Sequence, residues 1–168
     1  MDCMSVWMAI DPGPEQSAYV LYDGATGKPL SWLKDSNRGV LAGIRGLIVP
    51  VHYLAIEVVA SYGMPVGAEV FETCVWVGRF IERWVDRSGR EPVRVFRRDV
   101  KLHLCGSARA TDATIRQALI DRYGPGKEAA VGRKASPGPL YGMHGDCWAA
   151  LGVAVTASDR RRMSQALA

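Results

Sequence analysis

Three carboxylates stand where a folded chain has little use for charge. Asp11 closes the apolar run MSVWMAID, Glu57 interrupts the apolar run YLAIEVV, and Asp146 stands just before a helical pattern carrying Trp148, Leu151 and Val155. An ionised carboxylate near a core is expensive unless something offsets it. A divalent cation does this well, because Mg²⁺ prefers hard oxygen ligands and is commonly held by one or two carboxylates plus water and substrate phosphate. Two such ions, roughly 3.5–4 Å apart, can clamp both sides of an in-line displacement at phosphorus. Each acid also has a plainer reading. Asp11 before Pro12-Gly13 suits a turn. Glu57 can pair with an arginine such as Arg45, and its alternation with Tyr53 and Ala55 also allows a solvent-facing position. Asp146 suits a helix N-cap.

The elements that must position these residues follow from periodicity and punctuation. Residues 4–11, 17–23 and 29–33 read as strands joined by short turns at Pro12-Gly13-Pro14 and Gly24 to Gly27, an antiparallel meander. Residues 38–50 suggest a short helix weakened by Gly43 and Gly46. YLAIEV (53–58) reads as a buried strand. The spacing predicts a helix over 65–86, with a core stripe of Val66, Val70, Cys74, Val77, Ile81 and Trp84. Phe71, Trp76 and Phe80 lie off that stripe and are expected to be exposed at a dimer interface. PVRVFR (92–97) alternates like a strand. Thr111 or Asp112 caps a helix ending at Tyr123-Gly124. Residues 124–143 read as a loop, a last helix runs from about Asp146 to Thr156, and residues 158–168 form a frayed basic tail after a domain spanning 1–157. Strands first, then helix and strand in alternation, describe an α/β domain with a mixed sheet.

Composition narrows the classes. A chain of 168 residues, 48% apolar and 23% charged, has room for one domain with a proper core. There is no apolar run of transmembrane length. The start carries Asp2 and no basic region, unlike a secretory signal. The four cysteines, Cys3, Cys74, Cys105 and Cys147, are far apart, without the pairing of a zinc finger or a disulfide framework. Reduced thiols and a cytoplasmic setting are expected. A net charge of +4 permits an anionic partner without demanding one.

MAIDPGPEQSAYVLYDG resembles the first hairpin of RuvC-type Holliday-junction resolvases, members of the ribonuclease-H-like superfamily. LAIEVVASYGMPVG resembles their Glu-bearing strand and the loop after it, RRDVKLHLCGSARATDATIRQAL their Val-Lys and Ala-Asp block, and HGDCWAALGVAV the acid-bearing start of their last helix. The motifs occur in family order and cover most of the chain, with wording closest to a phage or plasmid branch. The resemblance implies a ribonuclease-H-like fold, a mixed five-stranded sheet flanked by helices. It implies Asp11, Glu57 and Asp146 as ligands of Mg²⁺ or Mn²⁺, two ions per site, in a homodimer that hydrolyses phosphodiesters of branched DNA. No organic cofactor and no membrane are expected. If phage-encoded, the protein would work in the host cytoplasm.

Two departures stand out. Where the family has a second acid one turn into its last helix, this chain has Ala149, so the resemblance implies either that the fourth carboxylate is absent or that His144 partly fills its role. Where the family often has Lys after its Ala-Asp pair, this chain has Thr111-Asp112-Ala113.

Other residues support the same chemistry. His144, beside Asp146, can contact phosphate, shuttle a proton or join the ion's ligands; a plain polar loop residue is the alternative. His52 and His103 read as structural. Lys101 matches the family's Val-Lys and can neutralise phosphate, or be a solvated lysine. Tyr62, with Met64 as runner-up, can stack on an unpaired base. The stretch 83–101 is rich in arginine, and Arg97, Arg98, Lys101 and Arg109 are expected nucleic-acid contacts. Arg161 and Arg162 are either further contacts or tail. Competing readings are a branched-nucleic-acid-binding module with weak or no catalysis, which Ala149 motivates, and an RNA-processing nuclease of the same fold. A sugar-kinase or actin-like phosphate-binding fold would need two domains.

Overall fold

A computed structural model describes residues 5–47 and 49–167. The amino-terminal start read against a secretory signal, including Asp2 and Cys3, lies outside the described residues. Five strands form one mixed sheet: β1 (Val6–Asp11), β2 (Gln16–Asp23), β3 (Lys28–Ser36), β4 (Tyr53–Val58) and β5 (Val93–Phe96), in the order β3-β2-β1-β4-β5. β3, β2 and β1 pair antiparallel, whereas β1, β4 and β5 run parallel. The expected five-stranded mixed sheet and its opening meander are both present.

β1 is the central strand and is buried on both faces, which explains why its sequence is a continuous apolar run rather than an alternating one. Met8 and Ile10, with Leu54 and Ile56 of β4, face a core closed by α1 (Asn37–Gly46) and α2 (Ala68–Ser88). Trp7 and Ala9, with Ala18, Val20 and Tyr22 of β2, face a core closed by α4 (Asp112–Tyr123) and α6 (Cys147–Ala166). Between β5 and α4 the chain forms α3 (Arg97–Cys105). That helix has no forecast in the pattern, because the strand reading of 92–97 takes in Arg97, the helix's first residue. Asp99 starts it by accepting the Phe96 N–H at 3.0 Å. α3 then lies against α6 where Gly152 leaves no side chain, and a Cβ there would sit 3.0 Å from Val100 Cγ1.

Three expectations are corrected. On α2 the buried residues are Thr73, Trp76, Val77, Phe80 and Trp84, whereas Cys74 is exposed and Val70 and Ile81 are half-buried. Trp76 and Phe80 therefore belong to the core and not to an exposed dimer face; of the aromatic trio only Phe71 is exposed. Two apolar rows compete on this helix, and the row with the larger aromatic area faces the sheet. The carboxyl-terminal tail is not frayed: α6 continues to Ala166 with Ser158 and Asp159 buried. Asp159 is held by Arg122 at 2.9 Å, His103 at 2.9 Å and Arg162, while Arg161 stacks on Tyr53 with its guanidinium carbon 4.1 Å from the ring centroid. These are structural partners for arginines read as tail or DNA contacts. The segment 124–143 is not simply a loop. It holds a short helix, α5 (Lys127–Ala130), and a two-stranded ribbon of β6 (Gly132–Arg133) and β7 (Ser136–Pro137), anchored in the core by Ala130 and Leu140.

Candidate active site

Strand register brings the acids together. Ile10 of β1 pairs with Ile56 of β4, so Asp11 and Glu57 follow side by side at the carboxyl ends of two parallel strands. Both share the parity of Ala9 and Ala55, which places them on the α6 face. Asp146 immediately precedes α6 and so arrives at the same edge from above the sheet. The carboxyl ends of parallel strands are the usual location of ligand sites in α/β sheets.

The electrostatics record the convergence. Burial, then the carboxylates of Glu57 and Asp146, push the Asp11 carboxyl up to about 7. Glu57 is also raised, by burial first, against the lowering pull of Arg97. Glu57 thus does not pair with Arg45. Its partner is Arg97 of α3, with Nη1 3.5 Å from Oε2, but neither of these buried atoms makes a hydrogen bond. Arg97 commits its other nitrogen to Asp112, the first residue of α4. Asp146 occupies the N-cap position of α6 without capping it through its side chain. Its carboxylate instead accepts from Lys34 Nζ at 2.7 Å.

Lys34 is the site residue that sequence reasoning missed. β3 is mostly exposed along its length, and nothing in KPLSWLKDS marks one lysine as special. Only the register finds it: Asp11 pairs with Ala18 of β2 and Ala18 with Lys34 of β3, so the three share one row and one face.

A basic groove of about 400 Å³ adjoins the acids, lined by Tyr62, Arg97, Arg98, Lys101 and Ala108. Lys101 is near enough to Glu57 to favour its charged form. Tyr62 is 63% exposed and, unusually for a residue other than glycine, sits at φ 48° in the loop after β4. Four of the expected nucleic-acid contacts thus gather in one place, whereas Arg109 is exposed outside the groove. His144 is exposed, with Nδ1 donating to the Gly142 carbonyl at 3.0 Å in the tautomer that places the proton there.

The donor set suits a hard divalent cation: carboxylate oxygens, one of them, the buried Glu57 Oε2, without a hydrogen-bond partner. Among the described residues, however, no group of three or more His, Cys, Asp or Glu side chains is close enough to hold an ion as it stands. The side chains nearest to neutralising the acids are Lys34 and Arg97.

No family model and no curated protein matches the chain. Among solved structures, RuvC of Thermus thermophilus matches with a TM-score of 0.66 at 16% identity, over 95% of this chain and 96% of that one. The same organism's RuvC in complex with Holliday junction substrate matches with a TM-score of 0.66 at 16% identity, over 96% and 97%. The chain therefore has the RuvC-type, ribonuclease-H-like fold along nearly its whole length.

Proposed function

We propose that this chain is a divalent-metal-dependent endonuclease that hydrolyses phosphodiesters in branched DNA such as four-way junctions. The observation that carries this reading is the meeting of Asp11, Glu57 and Asp146 at one sheet edge, beside a groove of Tyr62, Arg98 and Lys101. The neighbour solved with junction substrate supports the choice of a branched partner.

Asp11, Glu57 and Asp146 would hold Mg²⁺ or Mn²⁺, which supplies a Lewis acid that activates water and neutralises charge at phosphorus. The chain's own residues do the rest. Arg98 and Lys101, which make no ion pair among the described residues, contact backbone phosphates. Tyr62, projecting from its loop, stacks on a base left unpaired at the branch. His144 has Nδ1 fixed by the Gly142 carbonyl, which leaves Nε2 to accept or give a proton at the reacting phosphate. A homodimer would present two such sites to the two strands of a symmetric junction. Its interface would draw on the exposed Phe71 and Val75 of α2 rather than on Trp76 and Phe80. We place the protein in the cytoplasm, and a phage origin fits the sequence resemblance.

Binding without cleavage is the second reading. Ala149 favours it, because the first turn of α6 supplies no second acid beyond Asp146. Purified protein incubated in Mg²⁺ with a four-way DNA junction, a linear duplex and an RNA–DNA hybrid separates the readings. Cleavage of the junction alone is expected. Tight junction binding with no cleavage supports the second reading, and preferential hybrid cleavage overturns both in favour of an RNA-processing nuclease.

A further inference from the structure

We infer that Lys34 occupies, from within the chain, the position a second divalent ion would take, so that these acids bind one ion rather than two. The inference rests on the functional reading above, that these acids hold a divalent ion.

The two sides of Asp11 differ. On the Asp146 side, Lys34 Nζ lies 2.7 Å from Asp146 Oδ2, a full charge-assisted hydrogen bond. The register accounts for its reach. Adjacent strands are ~4.8 Å apart, so Lys34 stands two spacings from Asp11 with only the Ala18 methyl between them on that face. A larger residue at position 18 would block the ammonium's path over the sheet. One helical turn beyond Asp146, Ala149 offers no oxygen. An ion on this side would find two carboxylates, one of them already engaged.

On the Glu57 side the contact with a cation is looser. Arg97 approaches Glu57 at 3.5 Å without a hydrogen bond, and both facing atoms are buried and unpartnered. Arg97 is anchored instead by Asp112. Glu57 Oε2 therefore keeps its capacity to coordinate.

Counting bound ions tests this without reference to activity. Metal-free protein is titrated with Mn²⁺ by calorimetry, and bound Mn²⁺ is counted by electron paramagnetic resonance. The wild type is expected to take up one Mn²⁺ per chain, Lys34→Arg one, and Asp11→Asn none. Lys34→Met combined with Ala149→Asp is expected to take up two. Lys34 is partly solvent-exposed, so its replacement leaves the core intact, and circular dichroism checks the fold of each variant. Two ions on the wild type, or one ion on the folded double variant, overturn the inference. No uptake by the wild type overturns the functional reading itself and the inference with it.

Discussion

Asp11 is a catalytic candidate that costs the fold something. Its carboxyl, with an ordinary value near 3.8, is pushed up to about 7 in the folded chain by burial and by Glu57 and Asp146. The folded state therefore keeps a proton that the unfolded chain releases, and stability falls as pH rises through the window from about 4 to about 7. Each pKa unit is worth ~1.4 kcal/mol, so the destabilisation above pH 7 is on the order of 4 kcal/mol without metal. Asp11→Asn removes the charge. Urea unfolding of metal-free protein should show Asp11→Asn more stable than wild type by about 2–4 kcal/mol at pH 8 and nearly equal at pH 4. Equal stability at both values would mean that the Asp11 carboxyl is not raised in the folded chain. Mn²⁺ should raise the wild-type melting temperature at pH 8 and leave that of Asp11→Asn unchanged, since only a ligand that binds the native state stabilises it. At this scale the three acids were legible in the sequence because each breaks an apolar context. Lys34 was not, since a lysine on an exposed strand breaks nothing.

Among the elements, α2 shows how periodicity finds a helix and misplaces its face. The helix lies close to where the spacing predicts it, closed by Gly89 at φ 65°, whose N–H donates to the Val85 carbonyl. Its inward row is nevertheless Trp76, Phe80 and Trp84, because aromatic area outweighs a tidier aliphatic stripe. Phe80 is fully buried and Phe71 is 63% exposed, so their truncations should differ. Phe80→Ala should cost about 3–5 kcal/mol in chemical denaturation. Phe71→Ala should change monomer stability by less than about 0.5 kcal/mol while lowering the sedimentation coefficient if Phe71 lies in a dimer interface. A large stability loss for Phe71→Ala would place that ring in the core instead. α3 and the last turns of α6 escaped prediction for a shared reason. Asp99 and Asp159 carry no local sign of a structural role, yet Asp99 caps a helix and Asp159 is buried among Arg122, His103 and Arg162. Ion pairs between distant segments have no local signature.

For the whole molecule, the net charge of +4 says little, because cations and anions are sorted in space. The acids meet at one edge of the sheet, and Arg98 and Lys101 line the groove beside them. Junction affinity should fall with added salt, and Lys101→Ala should reduce the slope of log affinity against log salt by about 0.9, the share of one phosphate contact. An unchanged slope would remove Lys101 from the DNA interface. The fold was legible because its strand order, turns and motifs recur together over most of the chain, and similarity to solved RuvC structures spans 95% of it at only 16% identity. The meeting of the acids was not legible, since it depends on the pairing of Ile10 with Ile56 and on where α6 begins. The most direct test compares wild type with Asp11→Asn on a synthetic four-way junction, with and without Mg²⁺, reading binding and cleavage separately. Wild type is predicted to cut only with Mg²⁺, and Asp11→Asn to bind the junction comparably and leave it intact. Cleavage by Asp11→Asn, or by wild type without a divalent ion, would contradict the account.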